Sequence, residues 1–256
     1  MPHQIFDITG RVVVITGGGR GLGAALARGF GEAGARVVIG DQDAQTAEAS
    51  AAQICERGGE AIAVRCDITD VSQVQRLLSL ASQTYGALDV LVNNAGINIP
   101  KPAENLSLDE WSRIVGVNLT GTFIGCQAAG ALMLAQGSGC IINICSVHGH
   151  VGSYVHRAAA YNASKAGVIN LTRSLALEWG HRGVRVNGIS PGPLRTELMA
   201  TRLADPEYVR KTLERLAIKR VGTPEDVVGA ALFLASPAAA WITGHMLGVD
   251  GGWLAA

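Results

Sequence analysis

The sequence has no excess of charge of either sign, few cysteines and no long apolar run. Its 21 lysines and arginines balance 21 aspartates and glutamates, so the formal net charge is zero. Domains that bind nucleic acid or anionic membranes through electrostatics usually carry a basic excess. We therefore expect neither a nucleic-acid nor a membrane partner.

The cysteines form no functional pattern. There are five, an odd number, and no two are separated by only two residues. Disulfide frameworks need pairs, and zinc sites need closely spaced ligands. The sequence therefore predicts neither a disulfide nor a metal site, and it fits a reducing compartment.

Segments that would direct the chain to a membrane or divide it are also missing from the sequence. No run of 18 apolar residues occurs, and residues 1–10 hold no apolar core of a signal peptide. No linker-like stretch interrupts the 256 residues, of which 48% are apolar. We expect a soluble, cytoplasmic protein whose single domain spans residues 1–256.

Strand and helix patterns alternate along the chain. Continuous β-branched or apolar runs predict buried strands, and apolar residues at spacings of three and four predict helices. The predicted strands are 11–16, 37–39, 61–65, 88–92, 141–145, 184–189 and 245–249. The predicted helices are 22–33, 44–57, 71–85, 107–134 with a break at 116–121, 161–179, one or two short ones in 195–220, and one starting at 223. Ser107 and Glu110 have the spacing of a capping box at the start of the helix at 107, and Thr223 is the expected cap of the last helix. This alternation predicts an α/β fold, a doubly wound parallel sheet of the Rossmann type with seven strands and helices on both faces.

A glycine-rich turn joins the first strand to the first helix. Gly17, Gly21 and Gly23 would let the backbone approach a pyrophosphate, whose charge the helix N-terminus would meet. An acid, Asp41, follows about twenty residues later at the end of the second strand, as a dinucleotide site requires. The alternative is a turn that is merely tight.

Asp41 also bears on the choice of cofactor. Its carboxylate can accept hydrogen bonds from both adenosine ribose hydroxyls and would repel a 2′-phosphate, so the sequence predicts NAD rather than NADP. Arg20 would partly offset that repulsion. Asp67, after the third strand, is placed either to reach the adenine or to cap the helix that starts near Asp70.

Tyr161 and Lys165 lie one turn apart on one face of the predicted helix. A nearby ammonium favours the phenolate, which lowers the tyrosine pKa toward the value that a general acid or base needs. An exposed Tyr and Lys pair on a solvated helix face is the alternative. Ser146 follows the apolar run 140–145.

These motifs together identify a family. TGGGRGLG from Thr16, NNAG from Asn93, Asn118, Ser146, YNASK from Tyr161, Pro191-Gly192 with Thr196, and VDGG from Val249 occur in the order seen in short-chain dehydrogenases/reductases. The resemblance covers essentially the whole chain. It implies a catalytic tetrad of Asn118, Ser146, Tyr161 and Lys165. It also implies a cofactor site formed by Gly17, Arg20, Gly21, Leu22, Gly23, Asp41, Asp67, Ile68, Asn94, Ala95, Gly96, Tyr161, Lys165, Pro191, Gly192, Leu194 and Thr196.

The resemblance assigns each member of the tetrad a role. Tyr161 would be the acid/base, and Ser146 would orient the reacting oxygen. Lys165 would lower the tyrosine pKa and hold the nicotinamide ribose. Asn118, at the break in its helix, would keep a water that links Lys165 to solvent; without the family it would be an Asn at a helix bend.

The chain departs from the commonest family pattern around Ser146. Cys145 replaces a frequent serine, and we interpret it as a core residue rather than a nucleophile. The loop from Ser146 to Tyr161 is about two residues longer than the commonest spacing in the family. We expect this loop to face substrate, with Ser146, His148, Tyr154 and Tyr161 as substrate contacts. Its further polar residues are His150, His156 and Arg157. His148 and His150 lack a third ligand, so they favour a polar pocket over a metal site; the alternative is that they only pack the loop.

Residues 193–220 are the most charged part of the chain and form either a lid over the site or a solvated excursion.

The resulting hypothesis is an NAD-linked secondary alcohol dehydrogenase or ketone reductase that acts as a homotetramer. Through its ICS stretch at 144–146 and its VDGG end, the chain resembles family members of the gluconate 5-dehydrogenase type, which act on polyols, sugars or sugar acids. A 3-oxoacyl-carrier-protein reductase is the alternative within the enzymes, and Asp41 argues against it. A catalytically silent, cofactor-binding regulatory protein is the alternative of another class, and the complete tetrad argues against that.

Overall fold

The computed structural model describes residues 2–152 and 157–255. Within them, seven parallel strands form one sheet in the order β3-β2-β1-β4-β5-β6-β7. The strands are β1 Val12–Thr16, β2 Arg36–Asp41, β3 Glu60–Arg65, β4 Val90–Asn93, β5 Gly139–Ile144, β6 Val184–Pro191 and β7 Met246–Val249. The predicted doubly wound Rossmann sheet is confirmed.

The sheet reverses its direction of growth at β1. β1 is a central strand, with Val13 opposite Val37 of β2 and Val90 of β4, and all five of its residues are buried because helices cover both faces of the sheet. The chain moves outward from β1 to β3 and then returns to β4 on the other side. Ligands of open α/β sheets bind at the carboxyl ends of the strands beside such a reversal.

Helices cover both faces of the sheet. They are α1 Gly21–Glu32, α2 Ala44–Glu56, α3 Val71–Tyr85, α4 Leu108–Val115, α5 Thr122–Gln136, α6 Ala159–Trp179, α7 Ala200–Leu203, α8 Pro206–Arg215 and α9 Glu225–Ala235. One buried cluster joins α1, α2 and α9 to the sheet, and a second joins α3, α5 and α6 to its other face. Apolar residues on both sides of the central strands account for their continuous apolar sequences.

Side-chain caps begin four of the described helices, α2, α3, α4 and α8. Ser107 and Glu110 form the predicted capping box at α4, and Asp70 caps α3. Thr223 does not cap the last helix: α9 begins at Glu225 without a side-chain cap. The Asp226 carboxylate instead reaches back and accepts a hydrogen bond from the Thr223 N–H at 2.8 Å.

The predicted break at 116–121 is a π-helical segment, Gly116–Gly121, between α4 and α5. A π turn contains one more residue than an α turn, which shifts the register of the side chains on either side. The continuous helix Leu108–Gln136 is long and apolar enough to cross a membrane by length and composition alone. In this fold α5 packs against β4, β5 and α3, so core burial accounts for its apolar sequence.

Candidate active site

A cavity of about 910 Å³ lies at the carboxyl ends of the strands. Segments that follow β1 to β6 all contribute to its wall, which is the edge where ligands of such sheets bind. Every predicted cofactor residue lines it: Gly17, Arg20, Gly21, Leu22, Gly23, Asp41, Asp67, Ile68, Asn94, Ala95, Gly96, Tyr161, Lys165, Pro191, Gly192, Leu194 and Thr196. Ser146 and His148 line it too, whereas Tyr154 lies outside the described residues.

The glycine turn forms an open cradle at one end of the cavity. Gly17 has a φ of +65°, and a Cβ there would lie 2.8 Å from the Cα of Ala95. At Gly23 a Cβ would lie 1.9 Å from the Gly17 carbonyl oxygen. Side chains are thus excluded, and backbone and the N-terminus of α1 face the cavity. This arrangement fits the pyrophosphate of a dinucleotide.

The turn is tied to the central strands by polar side chains. The Asn94 amide donates hydrogen bonds to the carbonyl oxygens of Thr16 and Gly17, at 3.0 and 2.9 Å. The Thr16 hydroxyl accepts from the backbone N–H of Asn94 at 3.1 Å. The cradle therefore has a fixed shape before any ligand enters.

Acidic residues line the end of the cavity beyond the turn. The Asp41 carboxylate is buried and accepts hydrogen bonds from the N–H groups of Gly19 and Asp43, at 3.0 and 3.1 Å. Asp67 accepts from the N–H and hydroxyl of Thr69 and does not cap α3, since Asp70 does. The Nη1 atom of Arg20 lies 3.8 Å from the Oε2 atom of Glu197, and both residues line the cavity.

The predicted catalytic side chains meet at the other end of the cavity. Ser146 follows β5, while Tyr161 and Lys165 project from α6. A hydrogen bond with Ser146 opposes the effect of burial on the tyrosine pKa. The Lys165 ammonium lies 5.8 Å from the Tyr161 ring centroid and donates to the Ile144 carbonyl at 2.7 Å. The Tyr161 and Lys165 pair is therefore not the exposed pair of a solvated helix face.

The expected lowering of the Tyr161 pKa is not found in this structure. Burial raises the pKa of Tyr161, because a phenolate loses its hydration. Burial likewise lowers the pKa of Lys165, so both groups are shifted toward their neutral forms.

Asn118 lies behind the cavity wall rather than on it. Its fully buried amide accepts from the Ile97 N–H at 2.8 Å and donates to the Ile97 carbonyl at 2.9 Å. It also donates to the Ser164 hydroxyl on α6 at 3.1 Å. The side chain thus fixes the segment after NNAG to the helix that carries Tyr161.

The two described histidines of the long loop have different surroundings. His148 lines the cavity and packs edge-on against Trp253, with 5.8 Å between ring centroids. Burial lowers the pKa of His148 to about 4, so the ring is neutral at physiological pH. His150 shares a hydrogen bond of 2.8 Å with the Ser190 hydroxyl. Among residues 2–152 and 157–255, no three His, Cys, Asp or Glu side chains are placed to hold a metal ion.

Cys145 packs in the core as the sequence suggests. It is buried against Val168 and Ile169, and burial raises the pKa of its thiol to about 12. A thiol with such a pKa is not a nucleophile at neutral pH.

Comparison with known proteins decides the family. The profile described as enoyl-(acyl carrier protein) reductase matches residues 17–254. The 3β-hydroxysteroid dehydrogenase 1 of Eggerthella lenta is 44% identical over 248 residues, which cover 96% of this chain and 94% of that protein. D-threitol dehydrogenase of Mycolicibacterium smegmatis is 41% identical over 250 residues, 97% of this chain and 94% of that protein. A gluconate 5-dehydrogenase structure from Burkholderia cenocepacia, in complex with NADP and tartrate, has a TM-score of 0.95 at 37% identity and covers 100% of both chains.

The chain belongs to the short-chain dehydrogenase/reductase family. It is an oxidoreductase that transfers a hydride between a nicotinamide cofactor and a secondary alcohol or its ketone. Because these relatives are secondary alcohol dehydrogenases, the carrier-protein reductase is the less favoured alternative.

Several wall residues of this short-chain dehydrogenase were not predicted from its sequence. They are Gln42, Cys66, Thr69, Ile97, Asn98, Ser112, Arg113, Gly116, Val117, Ile144, Cys145 and Val147. Pro193, Glu197 and Met199 also line the cavity and lie within the segment 193–220 that was predicted as a lid or a solvated excursion. Most adjoin a predicted site residue in the chain, so their position after a strand was the available signal. Trp253, which backs His148, had no such signal.

Proposed function

We propose that this enzyme oxidises a secondary alcohol of a polyol, sugar or sugar acid with NAD. The observation that carries the proposal is the convergence of Ser146, Tyr161 and Lys165 at one end of a cavity whose other end is a glycine cradle. The names of the threitol and gluconate dehydrogenases support a hydroxylated substrate. The neutral, polar ring of His148 in the cavity wall also suits hydroxyl groups.

In the proposed mechanism the protein controls a proton while the cofactor controls a hydride. The bound nicotinamide supplies the hydride acceptor at its C4 atom. As the carbinol C–H bond breaks with its electron pair, the hydroxyl proton passes to the Tyr161 phenolate oxygen, leaving a ketone and a neutral phenol. Ser146 donates a hydrogen bond to the reacting oxygen. With the cofactor bound, the Lys165 ammonium would hold the cofactor ribose and would add a positive charge that favours the phenolate against the effect of burial.

The proton step is tested by replacing Tyr161 with phenylalanine. We expect Tyr161→Phe to lower kcat by about 100-fold or more, since general acid–base catalysis contributes about 10²–10⁴-fold. Its affinity for the nicotinamide cofactor should stay within about threefold, because the ring still fills the cavity wall. A panel of polyols, sugar acids and β-ketoesters is followed by reduced-cofactor absorbance, and cofactor binding by fluorescence titration. Undiminished turnover would remove Tyr161 from this role.

The preference for NAD rests on Asp41. Its carboxylate is held on the cavity wall by two N–H donors, and a 2′-phosphate beside it would meet an unshielded negative charge. Arg20 pairs with Glu197 rather than with Asp41, which leaves that charge in place. The Burkholderia cenocepacia structure contains NADP, so this likeness does not support the preference.

The cofactor preference is tested by removing one charge at a time. Asp41→Asn should shift the ratio of kcat/KM for NAD to that for NADP toward NADP by about tenfold, the effect of roughly 1.4 kcal/mol of repulsion. Asp43→Asn removes the same charge two residues away and keeps the cap of α2, so the ratio should change little. A wild-type enzyme with the higher kcat/KM for NADP would contradict the preference.

Residues 193–220 are further proposed to act as a lid. Leu194 is anchored by a bridge to Gly222, while Thr196, Glu197 and Met199 face the cavity. Glu197 also forms an exposed ion pair with Arg20 of the glycine turn, which supports a lid that contacts this turn.

A further inference from the structure

Asn98 lines the cavity, and the oxygen of its side-chain amide has no hydrogen-bond partner among the described residues. It lines the same cavity as Ser146 and Tyr161. Its Oδ1 atom is shielded from water and accepts no hydrogen bond from any residue in the described ranges 2–152 and 157–255. A buried acceptor without a donor costs about 1–3 kcal/mol. The free protein bears this cost at a position where a ligand can remove it.

The backbone around Asn98 is rigidly placed at the catalytic end of the cavity. The preceding residue, Ile97, is held through both its N–H and its carbonyl by Asn118. A Cβ on Gly96 would lie 3.6 Å from the Lys165 ammonium nitrogen. The side chain of Asn98 is thus two residues away from a point of contact with the tetrad.

The segment after Asn98 runs beside the loop that faces substrate. The Lys101 N–H donates to the Arg157 carbonyl at 2.9 Å, which joins this segment to the end of that loop. The segment that contains Asn98 is thus connected at one end to the surroundings of Lys165 and at the other to the loop expected to face substrate. His148, which also lines the cavity, adds a second uncharged polar group.

We propose that Asn98 is a specificity-determining residue whose amide hydrogen-bonds a second hydroxyl of the substrate, next to the carbon that is oxidised. This inference rests on the proposed function and narrows its substrate to vicinal diols and polyols. Because the oxygen is shielded in the free protein, the proposal requires the amide to turn toward the cavity when the ligand binds. A hydroxyl is suited to it because it can both donate to the amide oxygen and accept from the amide nitrogen.

The test compares 2,3-butanediol with 2-butanol, which has the same carbon skeleton and lacks the second hydroxyl. The wild-type enzyme should have the higher kcat/KM for the diol. In Asn98→Leu, an apolar residue of similar shape, the ratio of kcat/KM for diol to that for mono-alcohol should fall about tenfold, the effect of one hydrogen bond. Asn98→Asp keeps an oxygen at the same position and should keep the ratio within about threefold.

Two controls separate specificity from a structural role. Asn105→Leu makes the same change at an exposed asparagine of the same connecting segment, and the ratio should be unaffected. The melting temperature of Asn98→Leu should be unchanged or higher than that of the wild type, because the lost oxygen makes no bond within the protein. A structural asparagine would give a lower melting temperature.

The outcomes distinguish this inference from the proposed function. If the wild type oxidises neither alcohol nor any member of the polyol panel, the proposed function is overturned and the inference with it. If the wild type oxidises both alcohols but prefers 2-butanol, or if Asn98→Leu lowers kcat/KM equally for both, only the role of Asn98 is overturned.

Discussion

Single residues in the cavity are governed by burial more than by neighbouring charges. Burial raises the pKa of Tyr161 and lowers those of Lys165 and His148, in each case favouring the neutral form. A neutral His148 can donate or accept a hydrogen bond without attracting an anion. The lowered pKa of His148 also has a measurable effect on the free energy of unfolding.

We expect the free energy of unfolding to fall as the pH drops from 6.5 to about 4, and His148 to cause part of that fall. In the unfolded chain this histidine binds a proton below the ordinary histidine pKa of 6.5, whereas the folded protein does not protonate it until the pH reaches about 4. The unfolded state therefore binds more protons in this window, and the difference corresponds to about 3 kcal/mol at its lower end. Guanidinium unfolding midpoints across this range measure it.

His148→Gln is the matching variant for this prediction. Glutamine does not titrate, so the variant should lose about 3 kcal/mol less stability than the wild type over the same pH range. Its stability at neutral pH can differ from that of the wild type without affecting the comparison, which concerns the slope alone. Equal slopes for the two proteins would show that His148 is protonated as readily in the folded state as in the unfolded chain.

Among the elements, the π segment Gly116–Gly121 connects the cofactor site to the catalytic helix. It turns Asn118 inward, where the amide pairs with both backbone groups of Ile97 and with Ser164. A regular α turn would shift the side-chain register by one residue. Through Asn118, the π segment therefore fixes the distance between the NNAG segment and α6.

Asn118→Ala should destabilise the protein by about 2–4 kcal/mol and also lower kcat. The variant leaves the partly buried N–H and carbonyl of Ile97 without their partner, and a buried group left in this way costs about 1–3 kcal/mol. The kcat should fall by about tenfold or more because the wall beside Lys165 is no longer fixed. Chemical unfolding and steady-state kinetics on the folded protein measure the two effects.

Asn187 provides a matched control for this prediction. It is equally buried, donates to the Ile242 carbonyl at 2.8 Å and accepts from the His245 N–H at 3.0 Å, between β6 and β7. Asn187→Ala should cost similar stability and leave kcat of the folded protein nearly unchanged. If both variants lose kcat to the same extent, the effect of Asn118 is general destabilisation rather than positioning.

Local sequence patterns predicted the elements well where local interactions set their ends. The helix predicted at 71–85 is found at Val71–Tyr85, because Asp70 caps its start and Gly86, with a φ of +84°, ends it. The Thr223 cap was wrong because the competing contact, from Asp226, depends on the exact side-chain geometry.

Contacts between distant segments were beyond what the sequence predicts. Lys165 reaches the Ile144 carbonyl and Asn118 reaches Ile97, each across 21 residues, and neither partner uses a side chain in the contact. A backbone partner leaves no residue type to recognise. The predicted lowering of the Tyr161 pKa was wrong because burial raises this pKa, and the burial of a side chain results from the whole fold.

For the whole molecule, the exposed apolar residues of α4, α5 and α6 bear on assembly. Leu108 and Leu177 are 82% and 84% exposed, and Trp111 and Phe123 are also exposed. Helix α6 packs against both α4 and α5, so these four large apolar side chains lie on neighbouring helices. Exposed apolar residues grouped in this way indicate a contact with another protein. It supports the proposed homotetramer, in which a second copy of the chain would cover this side.

Sedimentation equilibrium should therefore give a mass about four times the chain mass of 26.6 kDa. A charge buried in an interface costs several kcal/mol, so the double variant Phe123→Asp, Leu177→Asp should dissociate into smaller species. Val71→Asp makes the same kind of change at an exposed apolar residue in the first turn of α3, where an acid suits the helix dipole, and the mass should not change. A monomeric wild type would contradict the homotetramer. A tetrameric double variant would instead place the subunit contacts on another surface of the molecule.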